Sequence, residues 1–219
     1  MRDIAEIQLT RVKAHLVLEP EPSLIDCGYA GQSGRIGRAI AGHGRTIDEL
    51  KRVVITHGHP DHAGSAREIA ALGVPIWIHP ADAALLRATW RTLAQTPSRA
   101  VFFGAMTPEP AESSIVPIED GQVLPMLGGL RVVHTPGHTP GSVCLYGARD
   151  RVLFVGDSLQ RRFGRVSFAS SLYSDDHAAA KRSVKRLAEL DVESIVFSHF
   201  AAVEHDGAAI LADLARQSG

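Results

Sequence analysis

The segment "VVITHGHPDHAG" (residues 53–64) constrains the fold more than any other part of the chain. It begins with an apolar run, which is typical of a short buried strand. His57 and His59 alternate, so in an extended segment their side chains point to the same side. The proline that follows forces a turn before Asp61 and His62. Four ligand-type side chains that leave one strand end in two directions can hold metal; the alternative is a polar loop without function.

The same arrangement recurs at three later points. "HTPGHTPGS" places His138 between two Pro-Gly pairs, "LFVGDS" places Asp157 after an apolar strand and a glycine, and "IVFSHF" ends another strand with His199. Imidazole and carboxylate together suit zinc, iron, manganese or cobalt, and the lack of clustered cysteines argues against a structural zinc finger. The recurrence of strand, small residue and ligand predicts one metal site built from distant segments.

Composition excludes several classes of function. The chain has 219 residues, 45% of them hydrophobic, and a formal net charge of -1, which gives no electrostatic footprint for nucleic acid or for an anionic membrane. The charged N-terminus does not resemble a signal peptide, no apolar stretch is long enough to span a membrane, and two cysteines are too few for a disulfide framework. We therefore expect a cytoplasmic protein with a small-molecule substrate, no nucleic-acid or membrane partner, and homodimerisation as an open alternative.

Short strands and helices alternate along the chain. Residues 12–19 and 23–28 predict an antiparallel pair, while residues 95–114 and the segment after Asp157 read as loops. The predicted helices cover residues 33–44, 62–72, 80–93, 175–190, with Ser174 or Asp175 as N-cap, and 204–216. Two packed sheets with helices outside satisfy this pattern, and so does a doubly wound sheet.

The motifs "THGHPDH", "PGHTPGS", "GD" and "SH", in this order and spacing, resemble the metallo-β-lactamase superfamily of metallo-hydrolases. The resemblance runs from about residue 12 to residue 216. It implies an α/β fold of the αββα four-layer type, in which two mixed sheets are flanked by helices and the metal site lies at one edge between the sheets. We expect residues 1–219 to form one such domain.

The resemblance also implies a ligand set. Carried over residue by residue, it assigns one metal to His57, His59 and His138 and a second to Asp61, His62 and His199, with Asp157 bridging both. The implied cofactors are two divalent ions, zinc in the first place, with iron or manganese as alternatives. Two such ions share a hydroxide that attacks an electrophilic carbonyl. Asp61 is in addition a catalytic candidate, since it could orient this nucleophile or pass a proton to the leaving group.

Substrate contacts are expected from the two predicted loops. Phe102 and Phe103, in the segment 95–114, would form an apolar wall over the metals, or else simply pack against the sandwich. Arg165 and Tyr173 follow Asp157 along the chain, and a basic residue there would suit an anionic substrate.

Three functions remain open at this level. The first is a dinuclear metal-dependent hydrolase of a small ester, thioester or lactone, similar to the short glyoxalase II-like or lactonase-like members. The second is a mononuclear iron persulfide dioxygenase, which would use His57, His138 and Asp157 alone. The third is a non-catalytic metal-binding scaffold, against which the complete ligand set argues.

Overall fold

The computed structural model describes residues 3–218 and contains two large sheets, a separate hairpin and eight α-helices within that range. The strands are β1 Ile4–Gln8, β2 Lys13–Val17, β3 Ser23–Ile25, β4 Arg52–Val54, β5 Ile76–Ile78, β6 Ile115–Pro117, β7 Val123–Leu124, β8 Leu130–His134, β9 Val143–Gly147, β10 Val152–Phe154, β11 Leu159–Arg162, β12 Arg165–Phe168 and β13 Ser194–Val196. The helices are α1 Ser33–Ala41, α2 Pro60–Ala63, α3 Ala66–Ala70, α4 Pro80–Leu86, α5 Trp90–Gln95, α6 Arg99–Ala105, α7 His177–Leu187 and α8 Gly207–Arg216.

Both large sheets are mixed. The first follows the chain order β1-β2-β3-β4-β5-β6, with antiparallel pairing from β1 to β3 and parallel pairing from β3 to β6. The second has the order β13-β10-β9-β8-β7, in which only the β10–β13 pair is parallel. The predicted antiparallel pair of residues 12–19 and 23–28 is thus confirmed as β2 and β3.

The side-chain alternation of the strands explains the layers. In β3 and β4, Leu24 and Val53 pack under α1 to α4, whereas the next residue of each strand faces the second sheet. In β9, Leu145 faces the first sheet and Cys144 faces the other way, toward α7 and α8. Because both faces of each sheet are covered, neighbouring residues of these strands are apolar on both sides instead of alternating with polar residues, as at Leu24–Ile25 and Val53–Val54. The four-layer αββα sandwich is confirmed.

Several predicted helix boundaries were wrong. The helix expected over residues 80–93 is divided into α4 and α5, because the Thr89 hydroxyl caps a new helix by accepting from Thr92 N at 3.2 Å. The segment 95–114 is not irregular, since it contains α6, capped by Ser98. Helix α7 is capped by Asp176, which accepts from Ala179 N at 2.8 Å, and not by Ser174 or Asp175. Local capping hydrogen bonds decide each of these boundaries.

Two strand pairs were not predicted. Strand β1 pairs with β2 at the edge of the first sheet, and β11 pairs with β12 in the segment after Asp157, for which the sequence predicts a loop. The helix expected over residues 62–72 is also broken, into α2 and α3. No helix within residues 3–218 has the length and apolar character required to cross a membrane.

Candidate metal centre

All seven predicted ligands lie in segments that follow or connect buried strands at one edge of the sandwich. His57 and His59 follow β4, and α2 begins directly after them, so that Asp61 and His62 leave from its first turn. His138 lies between β8 and β9, Asp157 follows β10, and His199 follows β13. The parallel strands β10 and β13 end at the same sheet edge, which is why residues more than forty positions apart meet.

The first cluster, here called the inner group, consists of His57, His59 and His138. Their ligand atoms lie within 4.8 Å of one another, and all three side chains are buried. His59 Nδ1 and His138 Nε2 are 3.0 Å apart. His57 Nε2 is buried and has no hydrogen-bond partner among residues 3–218. Buried polar atoms are rarely left unpartnered, so this nitrogen is suited to bind a cation.

The electrostatics of the inner group favour neutral imidazoles. Burial lowers the pKa of His59 to about 3, and burial together with neighbouring histidines lowers the pKa values of His57 and His138. A histidine must be neutral to donate a lone pair to a metal. The inner group therefore offers unprotonated nitrogens at neutral pH.

The second cluster, here called the outer group, consists of Asp61, His62 and His199, whose ligand atoms also lie within 4.8 Å of one another. His62 Nδ1 lies 2.7 Å from Asp26 Oδ2, and His199 Nδ1 lies 2.8 Å from the carbonyl oxygen of Arg11. Each of these nitrogens acts as the donor, since its partner can only accept. The Nε2 atoms are therefore free to bind a cation.

Those two Nε2 atoms face each other at 3.2 Å. Two lone pairs at this distance repel each other unless a cation lies between them. Burial alone lowers the pKa of His62, but Asp26, Asp61 and Asp157 outweigh it and raise this pKa to about 10. The outer group therefore favours positive charge, as a metal ion or, without one, a proton.

Asp157 lies between the two groups. Its Oδ1 is 3.5 Å from His62 Nε2 and 3.4 Å from His199 Nε2, and its Oδ2 is 3.6 Å from His138 Nε2. One carboxylate thus presents one oxygen to each group. The donors of both groups are imidazole nitrogens and carboxylate oxygens, which fit divalent zinc, iron or manganese.

Asp26 supports the outer group and lies outside the predicted set. Its carboxylate accepts from Thr56 N at 2.8 Å and from the Thr56 hydroxyl, besides holding His62. Asp26 has a φ of +58°, and Arg11, which holds His199, has a φ of +59°. Both supports therefore occupy the left-handed region that few non-glycine residues adopt. The sequence signal was present, since Asp26 directly follows the buried strand β3, much as Asp157 comes soon after β10.

A cavity of about 740 Å³ opens over the two groups. Of the predicted substrate contacts, Phe103 and Tyr173 line it, and the Phe103 ring lies 4.5 Å from the His59 ring. Phe102 instead packs against Trp90 and lines a neighbouring groove. The remaining lining comes from several loops and from the hairpin: Arg11, Tyr29, Ala30, His59, Pro60, Asp61, Met106, Pro108, His138, Asp157, Leu159, Gln160, Arg162, Ser170, His199 and Phe200.

Arg165 is the exposed residue of strand β12 and lies outside this lining, while its partner across the hairpin, Arg162, is part of it. Arg161 anchors the hairpin, because it donates to the carbonyl oxygens of Ala201 and Ala202 at 3.2 and 2.7 Å. Arg162 is therefore the basic residue of this hairpin that lines the cavity.

Curated relatives share long stretches with this chain. A protein of Aquifex aeolicus is 37% identical over 66% of this chain and 64% of its own length. The hydroxyacylglutathione hydrolase GloC of Haemophilus influenzae is 32% identical, over 71% of this chain and 69% of its own. The probable metallo-hydrolase YflN of Bacillus subtilis is 28% identical, over 80% of this chain and 74% of its own. Two of these three relatives are named as hydrolases.

Solved structures show the same fold. A metallo-beta-lactamase family protein of Thermus thermophilus superposes with a TM-score of 0.76 at 23% identity, covering 99% of this chain and 79% of its own. TTHA1623, solved in a di-iron-bound form, has a TM-score of 0.70 at 27% identity and covers 95% of this chain and 96% of its own. The family model of the metallo-beta-lactamase superfamily matches residues 22–199, a range that contains all seven predicted ligands. With this fold and this histidine and aspartate cluster, the chain belongs to the metallo-beta-lactamase superfamily.

Proposed function

We propose that this protein is a hydrolase that uses two divalent metal ions, zinc in the first place, to cleave a small ester, thioester or lactone. The observation that carries the proposal is the arrangement of Asp157 between two complete ligand groups, with one carboxylate oxygen toward each. A single-metal site needs three or four protein ligands, and the second converging group, with its own buried support, favours a second ion.

When bound, two such ions would act as Lewis acids that lower the pKa of a water molecule to near neutrality and polarise the acyl oxygen of a substrate. The residues of this chain supply the rest. Asp61 lines the cavity, and its Oδ2 lies 3.1 Å from His199 Nε2, so these two donors of the outer group face the same point. From that position the carboxylate orients the attacking water, accepts a proton from it and passes that proton to the leaving group. The Phe103 ring packs against the His59 ring and shields that side chain from solvent.

The cavity supports a small acyl substrate. Phe103, Met106 and Pro108 form an apolar wall, while Arg11 and Arg162 are the two arginines of the lining. A volume of about 740 Å³ lies in the range of sites for metabolite-sized ligands. The names of GloC and YflN, a hydroxyacylglutathione hydrolase and a probable metallo-hydrolase, point in the same direction.

A substrate panel tests this proposal. Purified protein loaded with zinc is assayed against aryl esters, acyl thioesters of glutathione and of simpler thiols, and lactones of several ring sizes. We expect turnover of at least one of these classes and its loss on His57→Ala substitution. If no acyl substrate is turned over by protein that demonstrably holds metal, the hydrolase proposal is wrong.

The two alternatives predict different outcomes in the same preparation. One iron per chain with oxygen consumption in the presence of a persulfide would establish the dioxygenase, and metal without any turnover would favour the scaffold. We further propose that the enzyme acts in the cytoplasm on a small molecule, without a nucleic-acid or membrane partner. The two buried free thiols, Cys27 and Cys144, are compatible with a reducing compartment.

A further inference from the structure

Asp82 is a completely buried carboxylate that belongs to neither ligand group. It lies in the first turn of α4, where an aspartate ordinarily points outward and interacts with the positive end of the helix. Here the side chain is withdrawn from water instead. Burying a carboxylate costs free energy unless several hydrogen-bond donors compensate the charge. The groups that donate to Asp82 therefore indicate its structural role.

Three donors converge on this carboxylate. Oδ2 accepts from Gly58 N at 2.7 Å and from the Thr139 hydroxyl at 2.7 Å, and Oδ1 accepts from Gly141 N at 2.6 Å. None of these groups belongs to α4, whose N-terminus is capped by the side chain of His79. The carboxylate therefore serves two distant loops and not its own helix.

Both loops carry ligands of the inner group. Gly58 separates His57 from His59, and Thr139 directly follows His138. The Thr107 hydroxyl donates to the carbonyl oxygen of Gly58 at 3.1 Å, so the segment between the two histidines is held from a second direction. Asp82 thus joins the segment of two inner-group ligands to the turn of the third.

The close approach of the second loop depends on a glycine. A Cβ atom added to Gly141 would lie 2.6 Å from both the nitrogen and Oδ1 of Asp82. Real Cβ atoms do not come this near, so any larger residue would push the turn away from α4. The backbone of this turn is therefore fitted to the carboxylate, which supports a specific role for the contact.

We propose that Asp82 is the positioning residue of the inner group and holds the loops of His57, His59 and His138 in the geometry that binds a metal. Asp26 has the corresponding task in the outer group, where it contacts His62 directly. An amide cannot replace Asp82, because it has one acceptor oxygen and its NH₂ group would face a donor of one of the loops. The inference rests on the two-metal function proposed above.

The test is zinc binding to the full-length Asp82→Asn variant, measured by competition with a chromophoric chelator. Wild-type protein is expected to bind two zinc ions. In the variant, the affinity for one zinc ion should fall by at least about tenfold, which is the usual loss when a residue that supports a metal ligand is mutated. The affinity for the other ion should change by less than about twofold. Nitrogen-15 shifts of the imidazole rings should assign the weakened ion to the inner group.

Leu86→Ala is the matched control, since Leu86 is buried in the same helix and touches neither loop through a polar contact. It should lower the melting temperature and leave both zinc affinities unchanged. Equal weakening of both ions in Asp82→Asn, or unchanged affinities, would overturn the proposal. If Asp82→Asn does not fold, Thr139→Val, which removes one of the three donors, should weaken the inner ion selectively and by a smaller factor.

The failure of the two-metal function would look different. If wild-type protein binds only one zinc ion, the two-metal function is wrong, but Asp82 can still be tested. When the imidazoles of the inner group show the metal-induced shifts, Asp82→Asn should lower the affinity for this ion. An unchanged affinity would overturn the role of Asp82.

Discussion

The inner and outer groups are both converging sets of candidate metal-binding donors, but they differ in burial and in charge. The inner group has three buried histidines whose neutrality follows from burial, and its loops are held by backbone and hydroxyl contacts. The outer group contains the partly exposed Asp61 and His199, and carboxylates give it a strong preference for positive charge. The comparison teaches that burial keeps the imidazoles of the inner group neutral, whereas carboxylates make the outer group attract positive charge.

The largest effect is expected from the residue that both groups share. Asp157→Ala removes the carboxylate that faces both groups, so kcat/KM for the acyl substrate should fall on the order of 10³-fold. Steady-state kinetics at saturating zinc measure this loss. Ser158→Ala, a neighbouring change in a buried hydroxyl that bonds to Thr135, should leave kcat/KM within about twofold. Near-normal activity in Asp157→Ala would mean that the groups work independently.

Asp26→Asn should weaken metal binding at the outer group and not at the inner group. It removes the acceptor of the His62 ring and of Thr56, and the affinity for the outer-group ion should therefore fall by about 10–100-fold. Chelator competition measures this change, and the inner-group ion should bind as in the wild type. Ser198→Ala, which removes a weaker donor 3.3 Å from the same carboxylate, should have a much smaller effect. Selective loss of the inner-group ion in Asp26→Asn would reverse the assignment.

The pH dependence of zinc binding should also differ between the two groups. In the metal-free protein the pKa of His62 is raised to about 10, so zinc must displace a proton there at neutral pH, and outer-group affinity should increase by up to about tenfold per pH unit between about pH 6 and 8. The pKa of His59 is lowered to about 3, so inner-group affinity should be flat over the same range. Calorimetric zinc titrations in buffers of different ionisation enthalpy count the protons. Binding without proton release would contradict the charge assignment.

The smallest expected effect concerns substrate charge. Arg162→Ala should raise KM for an anionic acyl substrate by about two- to fivefold and leave kcat unchanged, since an exposed charge contributes little to binding. Arg165→Ala is the matched control, because Arg165 lies on the partner strand outside the cavity lining. A larger change of KM in Arg165→Ala than in Arg162→Ala would place the anionic end of the substrate elsewhere.

The candidate ligands could be selected from the sequence because the pattern that marks them is local. A buried strand ends, a small residue follows, and the next polar side chain lies at the sheet edge, as at Asp157 and His199. The four-layer architecture could not be chosen from this pattern alone. It depended on the resemblance to the family, since apolar strands covered on both faces occur equally in a doubly wound sheet.

The residues that support the ligands are harder to predict. Asp26 also follows a buried strand, but it has no neighbouring histidine that would mark it as part of a metal-binding motif. Asp82 resembles an ordinary first-turn helix residue, and its partners Gly58 and Gly141 are 24 and 59 positions away. The hairpin β11–β12 was missed because "LQRR" does not alternate between apolar and polar residues. Tertiary contacts decide each of these cases, and local sequence does not encode them.

The most direct test of the two-metal hydrolase is a zinc titration of metal-free protein, with bound metal and ester or thioester hydrolysis measured on the same samples. Two ligand groups joined by Asp157 predict that binding saturates at two zinc ions per chain and that most of the activity develops with the second ion. Saturation of binding and of activity at one ion per chain, or full activity with a single iron and none with zinc, would contradict it.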